Sequence, residues 1–124
     1  MLTDRMFIHT KVFDRLWESL GCSDADLQEV QKAICDNPQG HPVIRGTGGV
    51  RKIRIALEGR GKSSGARVIY GDFPKHGIVY LFASYPKNEK EDITEDERKT
   101  LKAAMSKIDA NWRNTNEHNG SGSN

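Results

Sequence analysis

The run at residues 78–85, Ile-Val-Tyr-Leu-Phe-Ala-Ser-Tyr, limits the choice of fold more than any other segment. It is almost wholly apolar, with a turn at residues 74–77 ahead of it and Pro86 behind it. A short apolar run between such breakers reads as a strand buried on both faces, at the centre of a sheet. Residues 66–73 read as a second strand, joined to it through that turn. A third strand lies upstream, where Ile53, Ile55 and Leu57 alternate with Arg54 and Ala56. Alternation at period two marks a strand with one buried and one wet face. Short connections between these three strands favour an antiparallel meander.

Helical spacing dominates the two ends. Residues 6–9 form a short apolar strand candidate, and Thr10 then caps a helix carrying Phe13, Leu16, Trp17 and Leu20 on one stripe. Gly21 ends that helix. Ser23 caps a second, with Asp24 and Asp26 placed well for the dipole and Leu27, Val30 and Ile34 as its buried stripe. Asn37-Pro38 stops it. Near the C-terminus, Thr94-x-x-Glu97 is a capping box. Leu101, Ala104, Met105, Ile108 and Trp112 follow on one face. The expected order is β-α-α-β-β-β-α: an α+β fold with an antiparallel sheet and its helices packed on one face. The 124 residues suit one domain over 1–113, and the Asn/Gly/Ser-rich residues 114–124 read as a disordered polar tail.

Charge is unevenly spread along the chain. The net charge is +2, but residues 45–87 hold nine Lys/Arg against two Asp/Glu, a local balance of +7. The flanking stretches are both acidic, −3 over residues 1–44 and −2 over 88–124. Within the basic block, Lys52 and Arg54 share the wet face of their strand, roughly 7 Å apart along it. Arg67 follows on the next strand. Such a block reads as an anion-binding face. Arg45, Arg51, Arg60, Lys62 and Lys90 widen it, and Tyr85 ends a strand beside it, where its ring can stack on a base.

Other chemistry is thinly represented. Residues 56–63 match a loose phosphate-binding loop, but that loop needs a helix directly after its Lys-Ser pair, and here a strand follows. Arg60 and Lys62 more simply extend the basic face from a hairpin. The four histidines have no metal-ligand spacing, and Cys22 and Cys35 form no CxxC or CxxH pair. No metal or other cofactor is expected, and the thiols read as reduced ones of a cytosolic protein. No apolar run reaches membrane-spanning length, and no secretory segment is evident.

Three blocks together carry a family resemblance: Gly46-Thr47-Gly48-Gly49-Val50-Arg51-Lys52-Ile53-Arg54, then Gly65-Ala66-Arg67-Val68-Ile69-Tyr70, then Tyr85-Pro86-Lys87-Asn88-Glu89. In order and spacing they resemble the RelE/HigB toxins of bacterial type II toxin–antitoxin modules, over residues 6 to about 112. The resemblance implies a fold like that of the small microbial ribonucleases. It implies a metal-independent endoribonuclease that cuts messenger RNA in the ribosomal decoding site, with a small helix-turn-helix antitoxin encoded beside it. By the same resemblance Lys52, Arg54, Arg67, Lys87 and Asn88 are the catalytic set, Asn88 departing from the arginine of some members. Thr94 stands where those members carry a tyrosine, and its capping box explains it without chemistry. A gyrase-poisoning toxin of the ParE type and a plain RNA-binding module are the alternative readings. Clustered phosphate-gripping residues weigh against the first, and weak RNA binding without cleavage would mark the second.

Overall fold

Each helix begins where a side-chain oxygen meets orphaned backbone amides. The computed structural model describes residues 4–56, 65–87 and 93–122, with side chains to residue 115. Strand β1 (Met6–His9) runs into α1 (Lys11–Ser19), where the Thr10 hydroxyl accepts from Phe13 N at 3.0 Å and donates to Phe82 O at 3.0 Å. Helix α2 (Asp24–Asp36) starts at a reciprocal box between Ser23 and Asp26. The strands β2 (Arg51–Ala56), β3 (Gly65–Phe73) and β4 (Ile78–Pro86) follow, and α3 (Glu95–Gly122) ends the chain. This is the expected element order.

The sheet order is β1-β4-β3-β2. Strands β2, β3 and β4 form the expected antiparallel meander. The sheet as a whole is mixed, however, because β1 pairs parallel to β4 from Met6↔Ile78 to His9↔Leu81. Hairpin connections force antiparallel pairing, whereas β1 is separated from β4 by two helices and two strands and is free to run either way. Its direction is fixed where the chain turns into α1, through Thr10 N to Leu81 O at 3.1 Å. Arg5 adds a two-pronged grip on Asp72 of β3, Nε to Oδ1 at 2.6 Å and Nη2 to Oδ2 at 3.2 Å.

The helices occupy both faces of the sheet, not one. On the first face Phe13 and Trp17 of α1 and Val30 and Ile34 of α2 pack on Ile53, Val68, Tyr70, Val79 and Leu81. On the second, Met105 of α3 packs with Ile69, Phe73, Phe82 and Ala83, flanked by Leu101, Ala104 and Ile108. An amphipathic helix must bury its stripe, and the first face is already filled, so α3 takes the second. Gly71 gives it room: a Cβ there would stand 2.6 Å from Met105 Sδ. At the β3–β4 turn, α3 is tied down by Trp112 Nε1 donating to Tyr80 Oη at 3.1 Å and by His76 Nε2 with Asp109 Oδ1 at 3.1 Å.

One irregularity decides what the second face displays. The β3–β4 register shifts between Ile69 and Tyr70, which pair with Ala83 and Leu81. Phe82 is the extra residue, a β-bulge. Strict alternation would put Phe82 and Ala83 on opposite faces, yet both join the α3 cluster. Beyond the bulge the parity of β4 is reversed, so Tyr85 comes to the α3 side in register with Arg67.

Tyr70 joins the first face to the chain after α2. The residue is fully buried, and its hydroxyl donates to Pro38 O at 2.8 Å. Replacing it, Tyr70→Phe, strands a buried carbonyl and is expected to cost about 1–3 kcal/mol in urea unfolding at neutral pH. Burial pushes the phenol upward from its ordinary 10.0. A proton held more tightly in the folded state contributes stability below the unfolded value that is lost as pH rises beyond it. The wild type should therefore lose stability above pH 10.0, and Tyr70→Phe should lose less; equal alkaline slopes would contradict the assignment.

The capping box at α3 is formed as well, with Glu97 N to Thr94 Oγ1 at 3.2 Å and Thr94 N to Glu97 Oε1 at 2.9 Å. Thr94→Ser should be nearly neutral and Thr94→Ala should lower stability by about 1 kcal/mol in thermal unfolding. An unchanged melting temperature for Thr94→Ala would show that the cap contributes nothing.

Candidate functional site

Period two on β2 sends Ile53 and Ile55 into the α1/α2 core and Lys52 and Arg54 to the α3 side. On β3 the same rule places Arg67 and Ile69 on that side. The register then builds two rows across the sheet: Arg54, Arg67 and Tyr85 in one, Lys52, Ile69 and Ala83 in the next. Arg67 is only 6% exposed, whereas Arg54 is open to solvent. Two guanidinium residues directly opposite each other repel, which a sheet selected only for stability would avoid. Lys87 follows at the end of β4. Its amide donates to Gly65 O at 2.9 Å, and its side chain is exposed.

A turn rich in glycine brings a further arginine in. Thr47 is fully buried; its hydroxyl donates to Ile44 O at 2.6 Å and accepts from Val50 N at 3.0 Å. Around it Gly46, Gly48 and Gly49 have φ of 79°, 73° and 108°, a region that residues with a Cβ enter only at a cost. The turn is thus held from inside and carries Arg45 beside the sheet.

Arg45, Lys52 and Arg67 converge with Arg98 on one small cleft of about 120 Å³, floored by Ile69 and walled by Ile93. Arg98 was not expected from the sequence. It belongs to α3, where only the apolar stripe and the cap drew notice. Its Nη1 donates to Arg45 O at 2.9 Å and its Nε to Ile93 O at 3.2 Å. The available signal was a cation in the first turn of a helix, where the dipole disfavours positive charge. No Asp, Glu or His is among the described residues lining the cleft.

The remaining expected residues fall in several places. Arg51 lies on the opposite face, its Nη1 donating to His41 O at 2.7 Å, so it does not join the basic row. As the neighbour of Lys52 on a strand it must point the other way. Tyr85 is half-buried against the α3 cluster and edges an apolar groove of about 370 Å³ with Phe82, Leu101 and Ala104. Asn88, Arg60, Lys62 and Lys90 lie outside the described residues.

The histidines have partners elsewhere: His9 Nδ1 with Asp14 at 3.0 Å, His41 with Ala33 O at 3.3 Å, His76 with Asp109. Among the described residues no group of three or more His, Cys, Asp or Glu is placed to hold a metal ion, and no helix is long and apolar enough to cross a membrane. What the cleft offers is dense positive charge on rigid elements, with guanidinium forks suited to an oxyanion.

The sequence model described as the RelE toxin of the RelE/RelB toxin–antitoxin system matches residues 5–117. Among solved structures, the Escherichia coli toxin RelE in the free state, a mutant with two arginines replaced by alanine, aligns with a TM-score of 0.48 and 14% identity, covering 83% of this chain and 98% of that one. With a match running from before β1 to well into α3, this chain belongs to the RelE toxin family of toxin–antitoxin systems.

Proposed function

We propose that this toxin is a metal-independent endoribonuclease that cuts messenger RNA during translation and works in the cytoplasm. The observation that supports this most is the convergence of Arg45, Lys52, Arg67 and Arg98 on one cleft. RNA carries its own nucleophile, the 2′-hydroxyl. Attack on the adjacent phosphorus forms a phosphorane with added negative charge, and departure of the 5′-oxygen leaves a 2′,3′-cyclic phosphate and a 5′-hydroxyl. In this reading Arg67 grips the scissile phosphate and takes up the added charge. Lys52 orients the attacking hydroxyl, and Arg54 and Lys87 hold flanking phosphates. Asn88 is assigned to the same set by its position after Lys87. Tyr85 stacks on a base next to the cut.

Proton transfer is the weak part of this equipment, since no imidazole or carboxylate is among the described lining residues. Positioning on the ribosome can compensate, because a well-aligned hydroxyl gains many orders of magnitude in effective concentration. Membership of a toxin–antitoxin family implies an antitoxin partner. We assign that role to a small helix-turn-helix protein from the adjacent gene, with acidic groups that meet the basic face.

Expressed alone, the toxin should stop growth and cut messages that are being translated. Primer extension on one message, with and without a functional start codon, measures this. Cuts in the translated form only are expected. Equal cutting of both would remove ribosome dependence, and intact messages in arrested cells would favour a non-nucleolytic toxin.

Arg67→Ala should abolish cleavage in a folded protein, a loss of about 2–4 kcal/mol of transition-state stabilisation. Arg67→Lys should recover little of it, because the fork is gone. Single-turnover cleavage of ribosome-bound message, with circular dichroism as the folding control, reads both. Full activity in a folded Arg67→Ala protein would move the phosphate grip elsewhere.

A further inference from the structure

The cationic cleft has an apolar neighbour. The groove of about 370 Å³ edged by Tyr85 shares two walls with it, Ile69 and Ile93. Register carries the link across the sheet: Tyr85 stands opposite Arg67, and such partners lie about 5 Å apart. Phe82, Leu101 and Ala104 supply much of the remaining apolar lining. At the rim, α3 sets two carboxylates, and only one is engaged. Glu97 Oε1 accepts from Thr94 N at 2.9 Å in the cap. Asp96 is exposed, lines the groove, and has no hydrogen bond or ion pair to any described residue. Among the described residues no Lys, Arg, His, Asn or Gln lines the groove. Apart from hydroxyls, its described polar side chains therefore only accept.

We propose that this groove is a base pocket and that Asp96 selects guanine in it. A slot walled by Tyr85 and aliphatic side chains fits the flat face of a base. The edge of the base is then read by what the rim can accept. Guanine presents its N1–H and its 2-amino group side by side, two donors that match the two coplanar oxygens of one carboxylate. Adenine and cytosine each place a ring acceptor beside their amino group, which a carboxylate repels. Uracil has a lone N3–H between two carbonyl oxygens. Guanine alone satisfies both carboxylate oxygens. The placement suits a polymer, because a nucleotide whose phosphate meets Arg67 has its base one strand over, against Tyr85. The inference rests on the nuclease reading for its substrate, RNA, and adds to it a base preference beside the cut.

Free nucleotides serve as probes, since guanosine and adenosine 5′-monophosphates carry the same phosphate and differ only in the base. Each is titrated into the full chain, and the NMR methyl signals of Leu101 and Ala104 report affinity. The guanosine form should bind about tenfold more tightly than the adenosine form, the discrimination of one bidentate base contact. Inosine 5′-monophosphate, which lacks the 2-amino group, should lose most of that gain. Equal affinity for all three would overturn the proposal. So would binding of the guanosine form that leaves Leu101 and Ala104 unmoved, because the base would then lie elsewhere. A groove reserved for a partner protein's apolar side chains would give that same stillness with every nucleotide.

Asp96→Asn keeps the size of the side chain but replaces one acceptor with a donor. The residue is exposed and its side chain takes no part in the cap, so the melting temperature should stay close to that of the wild type. The guanine preference should vanish, while adenosine 5′-monophosphate binds at least as tightly as before, because an amide matches the adenine edge. A preference retained in Asp96→Asn would overturn the role of Asp96. Should that variant fail to fold, the inosine comparison in the wild type decides alone. Cutting of translated messages is scored separately, by the base beside the cut. Guanine-selective binding without cleavage upholds the pocket and removes the nuclease reading. Cleavage with no guanine preference, among nucleotides or at the cut, removes the pocket and leaves that reading intact.

Discussion

The register shift opposite Phe82 is the constraint on which the arrangement of this molecule depends. A sheet with perfect alternation has two faces of fixed composition from end to end. Here β4 presents Phe82 and then Ala83 to the same side, and the two halves of the strand follow opposite parity. Below the bulge the second face is aromatic, with Phe73, Tyr80 and Phe82 available to α3. Above it the same face turns to Tyr85, Arg67 and Arg54 in one row. A single inserted residue thus separates the half that must be covered from the half left open. Without it Ser84 would take the place of Tyr85 beside Arg67, and Tyr85 would have to enter the α1/α2 core.

The open half is held in a state that folding alone would not choose. Arg67 is nearly buried, and its register partner on β2 is Arg54. Arg67, unlike the exposed Arg54, is largely withdrawn from water, and directly opposed like charges on neighbouring strands add to the cost. The structure tolerates this because rigid elements surround the cleft: the turn locked by Thr47, the central hairpin and the first turn of α3. Such local conflicts are expected at functional sites.

Much of this could be read from the chain. Element order, all three helix starts and the faces of Lys52, Arg54 and Arg67 follow from period, capping chemistry and alternation. Other features were missed. The parallel pairing of β1 depends on a long connection whose direction no local signal fixes. The position of α3 depends on which face is already filled, a competition between segments distant in sequence. Arg51 was grouped with its neighbours because charge blocks were counted along the chain, although strand parity alone would have sent it to the other face. Arg98 is the inverse case. It lies outside the basic block in an acidic stretch, and tertiary structure alone brings it beside Arg67.

Helix α3 therefore serves two physical ends at once. Its apolar stripe supplies the cover that the aromatic half of the second face needs, and its first turn supplies a wall of the cationic cleft. The first task could be met by many helices, placed with a residue or two of slippage along the sheet. The second cannot, because the bond from Arg98 to Arg45 O fixes α3 to a turn on the far side of the cleft. Gly71 restricts it further, since Met105 fits only where a side chain is missing. Packing alone thus leaves the helix some freedom, and the polar contacts at Arg98 in its first turn and at Asp109 and Trp112 farther along remove it. The cleft inherits its geometry from a helix held at two separate places, and that ties the shape of the site to the stability of the last element of the fold.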